Sequence, residues 1–127
     1  MPTKVLYIED AREQADIVTS ILEYQFEDIE VQTASDGLEG IQKARDWHPD
    51  LILLDLMMPR ADGFEVIHWL RRDEKIGDVP IVVISAWVGT TSQIESMVRK
   101  AGADAVFAKP IEVEQLVNIV ARYARRQ

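Results

Sequence analysis

Short apolar runs and longer stretches of helical period alternate along this chain from end to end. Val5 to Ile8 reads as a buried strand. Ile17 with Ile21, and Val18 with Leu22, then lie four apart on one face of a helix. Ile29 to Ala34 alternates as a second strand, and Asp36 with Glu39 forms a capping-box pattern that opens a helix running to about Asp46. Leu51 to Leu54 is apolar at every position, as a strand covered on both faces should be. After a turn at Pro59 to Gly63, the spacing of Phe64, Ile67 and Leu70 predicts a helix to about Lys75. Ile81 to Ile84 is the fourth strand. Ser92 with Glu95 caps the next helix, whose apolar positions are Ile94, Met97, Val98 and Ala101, and Gly102 ends it. Ala105 to Ala108 is a short fifth strand. Leu116, Ile119, Val120 and Tyr123 form the inner stripe of the last helix, with Arg122, Arg125 and Arg126 on its solvent side.

Five strands, each followed by a helix, imply an α/β fold: a doubly wound, five-stranded parallel sheet with helices on both faces and right-handed crossovers. The 127 residues fit a single domain with no internal linker or repeat. A formal net charge of −8 disfavours direct binding to nucleic acid or to an anionic membrane. With no cysteine, disulfides and thiolate-bound metals are excluded. The amino terminus runs into a strand without the apolar stretch of a signal peptide, and nothing approaches the ~18 consecutive apolar residues of a membrane span. A cytoplasmic protein is the expectation.

The candidate chemistry lies where strands end, the edge at which such sheets bind ligands. Glu9 and Asp10 follow the first strand, Asp55 the third, Ser85 the fourth and Lys109 the fifth. A carboxylate at the lip of a buried strand is costly unless paired or metal-bound. Asp10 and Asp55 are hard oxygen ligands suited to Mg²⁺, and Glu9 either ligates directly or holds a metal-bound water. Lys109, directly before Pro110, pairs with Asp55 or binds a phosphoryl oxygen as a point charge. Pro110 admits a cis peptide. Ser85 offers a hydroxyl to a phosphoryl oxygen. Taken singly, each has a plainer use as a cap, turn or surface residue; their agreement on one edge is what points to a cation and a phosphoryl group. His48, His68, Trp47 and Trp69 have no such company.

The ordered set Glu9-Asp10, Leu53-Leu54-Asp55-Leu56-Met57-Met58-Pro59, Asp62-Gly63, Ser85-Ala86, Gly102-Ala103-Asp104 and Lys109-Pro110 resembles the response-regulator receiver domain of two-component signalling. The likeness covers essentially the whole chain. It implies that Asp55 accepts a phosphoryl group from a histidine kinase, a phosphotransfer protein or a small phosphodonor. It further implies that Glu9, Asp10, Asp55 and the Met57 carbonyl place Mg²⁺, while Ser85 and Lys109 hold phosphoryl oxygens. Such a chain is not a turnover enzyme. Its output passes through the fourth helix, fifth strand and fifth helix, the surface on which a weak homodimer would also form. The downstream effector is unknown.

Three positions depart from the family pattern. Val106 stands where a switch aromatic is usual, and Phe107, offset by one, should point to the opposite face. The segment from Ser85 to Lys109 is a couple of residues longer than usual. Met57 and Trp87 are apolar where polar side chains commonly flank the site, which predicts a long-lived acyl phosphate. Two other readings compete. A Mg²⁺-dependent phosphohydrolase with an Asp nucleophile needs a second Asp where Met57 stands. A receiver-like module that is never phosphorylated has no need of the complete acidic set, Ser85 and Lys109.

Overall fold

The computed structural model describes residues 2–58, 62–86 and 92–124. Expectations placed on Pro59, on Trp87 to Thr91, on the Ser92 side chain and on Arg125 and Arg126 lie outside those residues. The elements alternate as β1 (Thr3–Ile8), α1 (Arg12–Gln25), β2 (Ile29–Ala34), α2 (Gly37–Trp47), β3 (Leu51–Leu54), α3 (Gly63–Arg72), β4 (Ile81–Ser85), α4 (Ser92–Ala101), β5 (Ala105–Ala108) and α5 (Val113–Tyr123). The five strands form one parallel sheet in the order β2-β1-β3-β4-β5.

Residues of alternate parity serve opposite faces. Leu6, Ile8, Ile52, Leu54, Ile81 and Val83 pack under α2, α3 and α4, against Ala44, Val66, Ile67, Leu70 and Val98. Val5, Tyr7, Leu51, Leu53, Val82 and Ile84 pack under α1 and α5. Each wholly buried Leu or Ile contributes about 1.5–3 kcal/mol. Interior strands β3 and β4 are buried at every position, whereas the edge strands β2 and β5 are only partly so. Val106 faces the first cluster and Phe107 the second, as alternation required.

Local chemistry sets the helix ends. Asp36 accepts the Glu39 amide at 2.8 Å, while the Glu39 carboxylate takes the amide of Ser35 at 2.6 Å, one residue before the expected partner. Asp62 accepts the Glu65 amide at 3.0 Å and opens α3. That helix stops at Arg72, short of the expected Lys75, because Asp73 captures the amides of Lys75 (2.9 Å) and Ile76 (3.2 Å). Two expected core positions are exposed instead. Ile17 is 58% exposed because α1 seats through Ala15, Val18 and Leu22, and Met97 is 56% exposed because α4 seats through Val98.

At the edge where strands begin, Arg71 ties three segments together. It donates to the carbonyls of Gly102 (2.9 Å), Gly77 (3.0 Å) and Val79 (2.6 Å), and to the Asp104 carboxylate (3.0 Å). Asp104 also receives the Ile81 amide at 2.9 Å. Gly102 adopts φ +125°, and a Cβ there would lie 2.9 Å from Cγ of Arg71. Among the described residues, no helix is long and apolar enough to cross a membrane.

Candidate functional site

The backbone fixes the opposite edge first. The amide of Glu9 donates to Ala34 O (2.9 Å), that of Asp55 to Ile8 O (3.0 Å) and that of Lys109 to Ser85 O (3.2 Å), so each residue prolongs the sheet by one step. Glu9, Asp55 and Lys109 thereby keep the alternation of Tyr7, Leu53 and Phe107, and their side chains meet. β1 and β3 are neighbours on either side of the reversal in strand order, where doubly wound sheets open a crevice.

Glu9, Asp10 and Asp55 come together: one carboxylate oxygen from each lies within 4.8 Å of the others. Glu9 and Asp55 are buried, at 2% and 5% exposure, and Asp10 is exposed. The Lys109 ammonium contacts Oε1 of Glu9 and lies 3.2 Å from Oδ2 of Asp55. Asp55 Oδ1 accepts the Met57 amide at 3.2 Å, and the Met57 side chain is 57% exposed beside it. Ser85 is fully buried at the end of β4, joined to Lys109 through its carbonyl. The Lys109–Pro110 bond is cis.

Burial, together with the charge of Asp55, raises the Glu9 pKa above its ordinary value, against the opposing Lys109 hydrogen bond. For Lys109, burial alone would lower the pKa. The Glu9 hydrogen bond and the charges of Asp55 and Glu9 outweigh it, and the pKa is raised. Glu9, Asp10 and Asp55 are hard oxygen donors gathered within 4.8 Å of one another, a set that fits a small divalent cation.

Tyr7 escaped the sequence reading, where it counted only as a strand residue. Its hydroxyl donates to Oε1 of Glu9 at 3.1 Å, and burial plus the neighbouring carboxylates raise its pKa beyond the ordinary tyrosine range. The available signal was a phenol in an otherwise aliphatic strand, two residues before Glu9 and thus on the same side. Gly63 also has a local reason: its amide donates to Leu56 O at 3.1 Å, and a Cβ would lie 2.7 Å from the Leu56 Cα. His48 and His68 lie elsewhere, His48 at the end of α2 and His68 3.3 Å from Arg72 on α3.

A doubly wound sheet with paired acids at its switch point and a lysine two strand-ends away, after β5, defines a signalling domain of the phosphoacceptor class. The family model described as the response regulator receiver domain matches residues 5–121, and the chain belongs to that family. RpaA of Synechocystis, named a DNA-binding dual master transcriptional regulator, is 38% identical over 97% of this chain and 49% of its own length. The chain thus spans about half of that relative. The polar-differentiation response regulator DivK of Brucella ovis is 31% identical over 97% of both chains. Among solved structures, the chemotaxis protein CheY4 of Vibrio cholerae superposes with a TM-score of 0.88 at 28% identity, covering 97% of this chain and 99% of CheY4. Receiver domains are the signalling domains of two-component systems: they bind Mg²⁺ at an acidic site and interact with histidine kinases or phosphotransfer proteins and with effectors.

Proposed function

We propose that Asp55 is the phosphoacceptor of this receiver domain. The observation that carries this is the placement of Asp55, nearly buried, between the acids Glu9 and Asp10 and the ammonium of Lys109. A carboxylate oxygen of Asp55 forms the new bond to phosphorus. The bond from phosphorus to the donor breaks, and its electron pair leaves with the donor's imidazole nitrogen or, for acetyl phosphate, its acetate oxygen. Glu9, Asp10 and Asp55, with the Met57 carbonyl, would hold Mg²⁺. Its chemistry there is neutralisation of charge on the carboxylates and the phosphoryl oxygens. Lys109 is tethered to Glu9 and stands within reach of Asp55, so it can follow charge onto a phosphoryl oxygen without a long excursion. Ser85 supplies a hydroxyl donor to the same group.

The donor is a histidine kinase or a phosphotransfer protein. A hollow of about 460 Å³ between α1 and the loop after β5, lined by Ile17, Ile21, Ile84, Lys109, Pro110 and Ile111, adjoins the site and suits such a partner. Output passes through α4, β5 and α5, with Met97 an exposed apolar contact, and a weak homodimer uses the same surface. Asp55 is phosphorylated and later freed by hydrolysis without turnover of an external substrate, so the protein acts as a cytoplasmic switch, one receiver domain over residues 1–127. The exposed Met57 beside Asp55 offers no group to orient a hydrolytic water, which favours a long-lived acyl phosphate.

Acetyl phosphate with Mg²⁺ should add a single phosphoryl group per chain, measured by intact mass. Asp55→Asn or a chelator should prevent it. Turnover of an external phosphomonoester such as p-nitrophenyl phosphate, with no phosphorylated protein accumulating from acetyl phosphate, would overturn the proposal in favour of a phosphohydrolase.

A further inference from the structure

Tyr7 lies 1% exposed beneath α1 and α5 among otherwise aliphatic neighbours from β1, β3 and β4. A buried phenol takes a hydrogen-bond partner, and this one donates to Oε1 of Glu9 at 3.1 Å. The Lys109 ammonium contacts the same oxygen. Oε2 accepts a longer hydrogen bond, from the Ala11 amide at 3.3 Å. A glutamate has one more rotatable bond than an aspartate, so at a cation site it needs a restraint to present its carboxylate in one orientation.

We propose that Tyr7 is a positioning residue of the acidic site: with Lys109 it pins Oε1 of Glu9, so that Oε2 is offered to the cation in a fixed orientation. The proposal rests on the Mg²⁺ reading given above. Its consequence concerns selectivity. Mg²⁺ requires near-ideal octahedral geometry, whereas Ca²⁺ accepts a larger and more flexible shell. A pinned carboxylate therefore serves Mg²⁺ more than Ca²⁺. Outer partners of metal ligands change affinity by about ten- to a hundredfold when removed.

The test is calorimetric titration of Mg²⁺ and of Ca²⁺ into wild type, Tyr7→Phe, Glu9→Asp and the double variant, with thermal melts as the control for folding. Tyr7→Phe should weaken Mg²⁺ by about tenfold and Ca²⁺ by distinctly less. In the Glu9→Asp background, where the shorter side chain withdraws from the phenol, Tyr7→Phe should change Mg²⁺ affinity by less than about twofold. Equal losses for the two ions, or the same loss in the Glu9→Asp background, overturn the proposal. An unfolded Tyr7→Phe also overturns it, because the phenol is then a structural residue. If wild type binds Mg²⁺ and Tyr7→Phe binds it equally well, the positioning role alone falls. If wild type binds no Mg²⁺, the reading of the site falls and takes the positioning role with it.

Discussion

The two edges of the sheet use the same raw materials, a cation and carboxylates, to opposite ends. Where strands begin, Arg71 meets three backbone carbonyls and one carboxylate, and Asp104 in turn accepts a strand amide. Each of the three guanidinium nitrogens there has an acceptor. Where strands end, Lys109 contacts Glu9 and Asp55, and Asp10 brings a third carboxylate within 4.8 Å of those two, so three carboxylates share a neighbourhood with one ammonium. The first arrangement is complete and holds α3, the loop before β4 and the loop before β5 together. The second carries an excess of negative charge that an added cation, or a proton on Glu9, relieves. Satisfied polar groups give stability, and an unsatisfied cluster tolerated by the rest of the fold gives a site.

The sharpest way to break this comparison is to exchange the two outcomes. Arg71→Ala leaves several carbonyls and Asp104 without their donor and should cost about 3 kcal/mol in urea denaturation. Phosphoryl incorporation by the folded fraction should be unchanged. A loss of incorporation without a loss of stability would erase the distinction between the edges.

A smaller effect should appear in the pH dependence of the metal-free protein. The folded-state pKa of Glu9 is raised above its ordinary 4.5, so the folded chain keeps this proton at pH values where the unfolded chain has released it. Stability should therefore fall as pH rises from 4.5 through the raised folded value. Glu9→Gln should flatten that slope, and Mg²⁺ should offset it. Denaturation midpoints in chelator across this window decide the matter, and a wild-type slope of opposite sign contradicts the crowding of charge at the site.

The smallest expected change lies at the stability edge again. His48 ends α2 at φ +55°, in the left-handed region that costs a non-glycine residue about 1 kcal/mol. His48→Gly should raise stability by about 0.5 kcal/mol, part of the relief being lost to the freer unfolded chain. Mg²⁺ affinity should be untouched.

What was legible in the sequence follows the same division. Glu9, Asp10, Asp55 and Lys109 stood out because charged residues directly after uninterrupted apolar runs have few cheap explanations. Strand parity then accounted for the convergence of Glu9, Asp55 and Lys109 and for Val106 and Phe107 facing opposite ways. Arg71 was not legible, because three of its four acceptors are backbone carbonyls, which every residue carries. Ile17 and Met97 fit the helical period, yet periodicity does not reveal which flank of a wide apolar stripe a neighbour will cover. Asp73 ended α3 early through bonds to its own following amides, a local competition that the apolar spacing of Phe64, Ile67 and Leu70 does not register. Tyr7 was hidden by its strand, since a phenol there serves packing and hydrogen bonding alike.

The central claim is that Asp55 alone takes the phosphoryl group. An aspartyl phosphate is reduced by borohydride to homoserine, so treating the acetyl phosphate-labelled protein with borohydride and sequencing its peptides by mass spectrometry reads the modified position directly. The account predicts homoserine at position 55 and at no other acid, dependent on Mg²⁺. Reduction at Asp10, or at any acid outside the cluster while Asp55 stays intact, would contradict it.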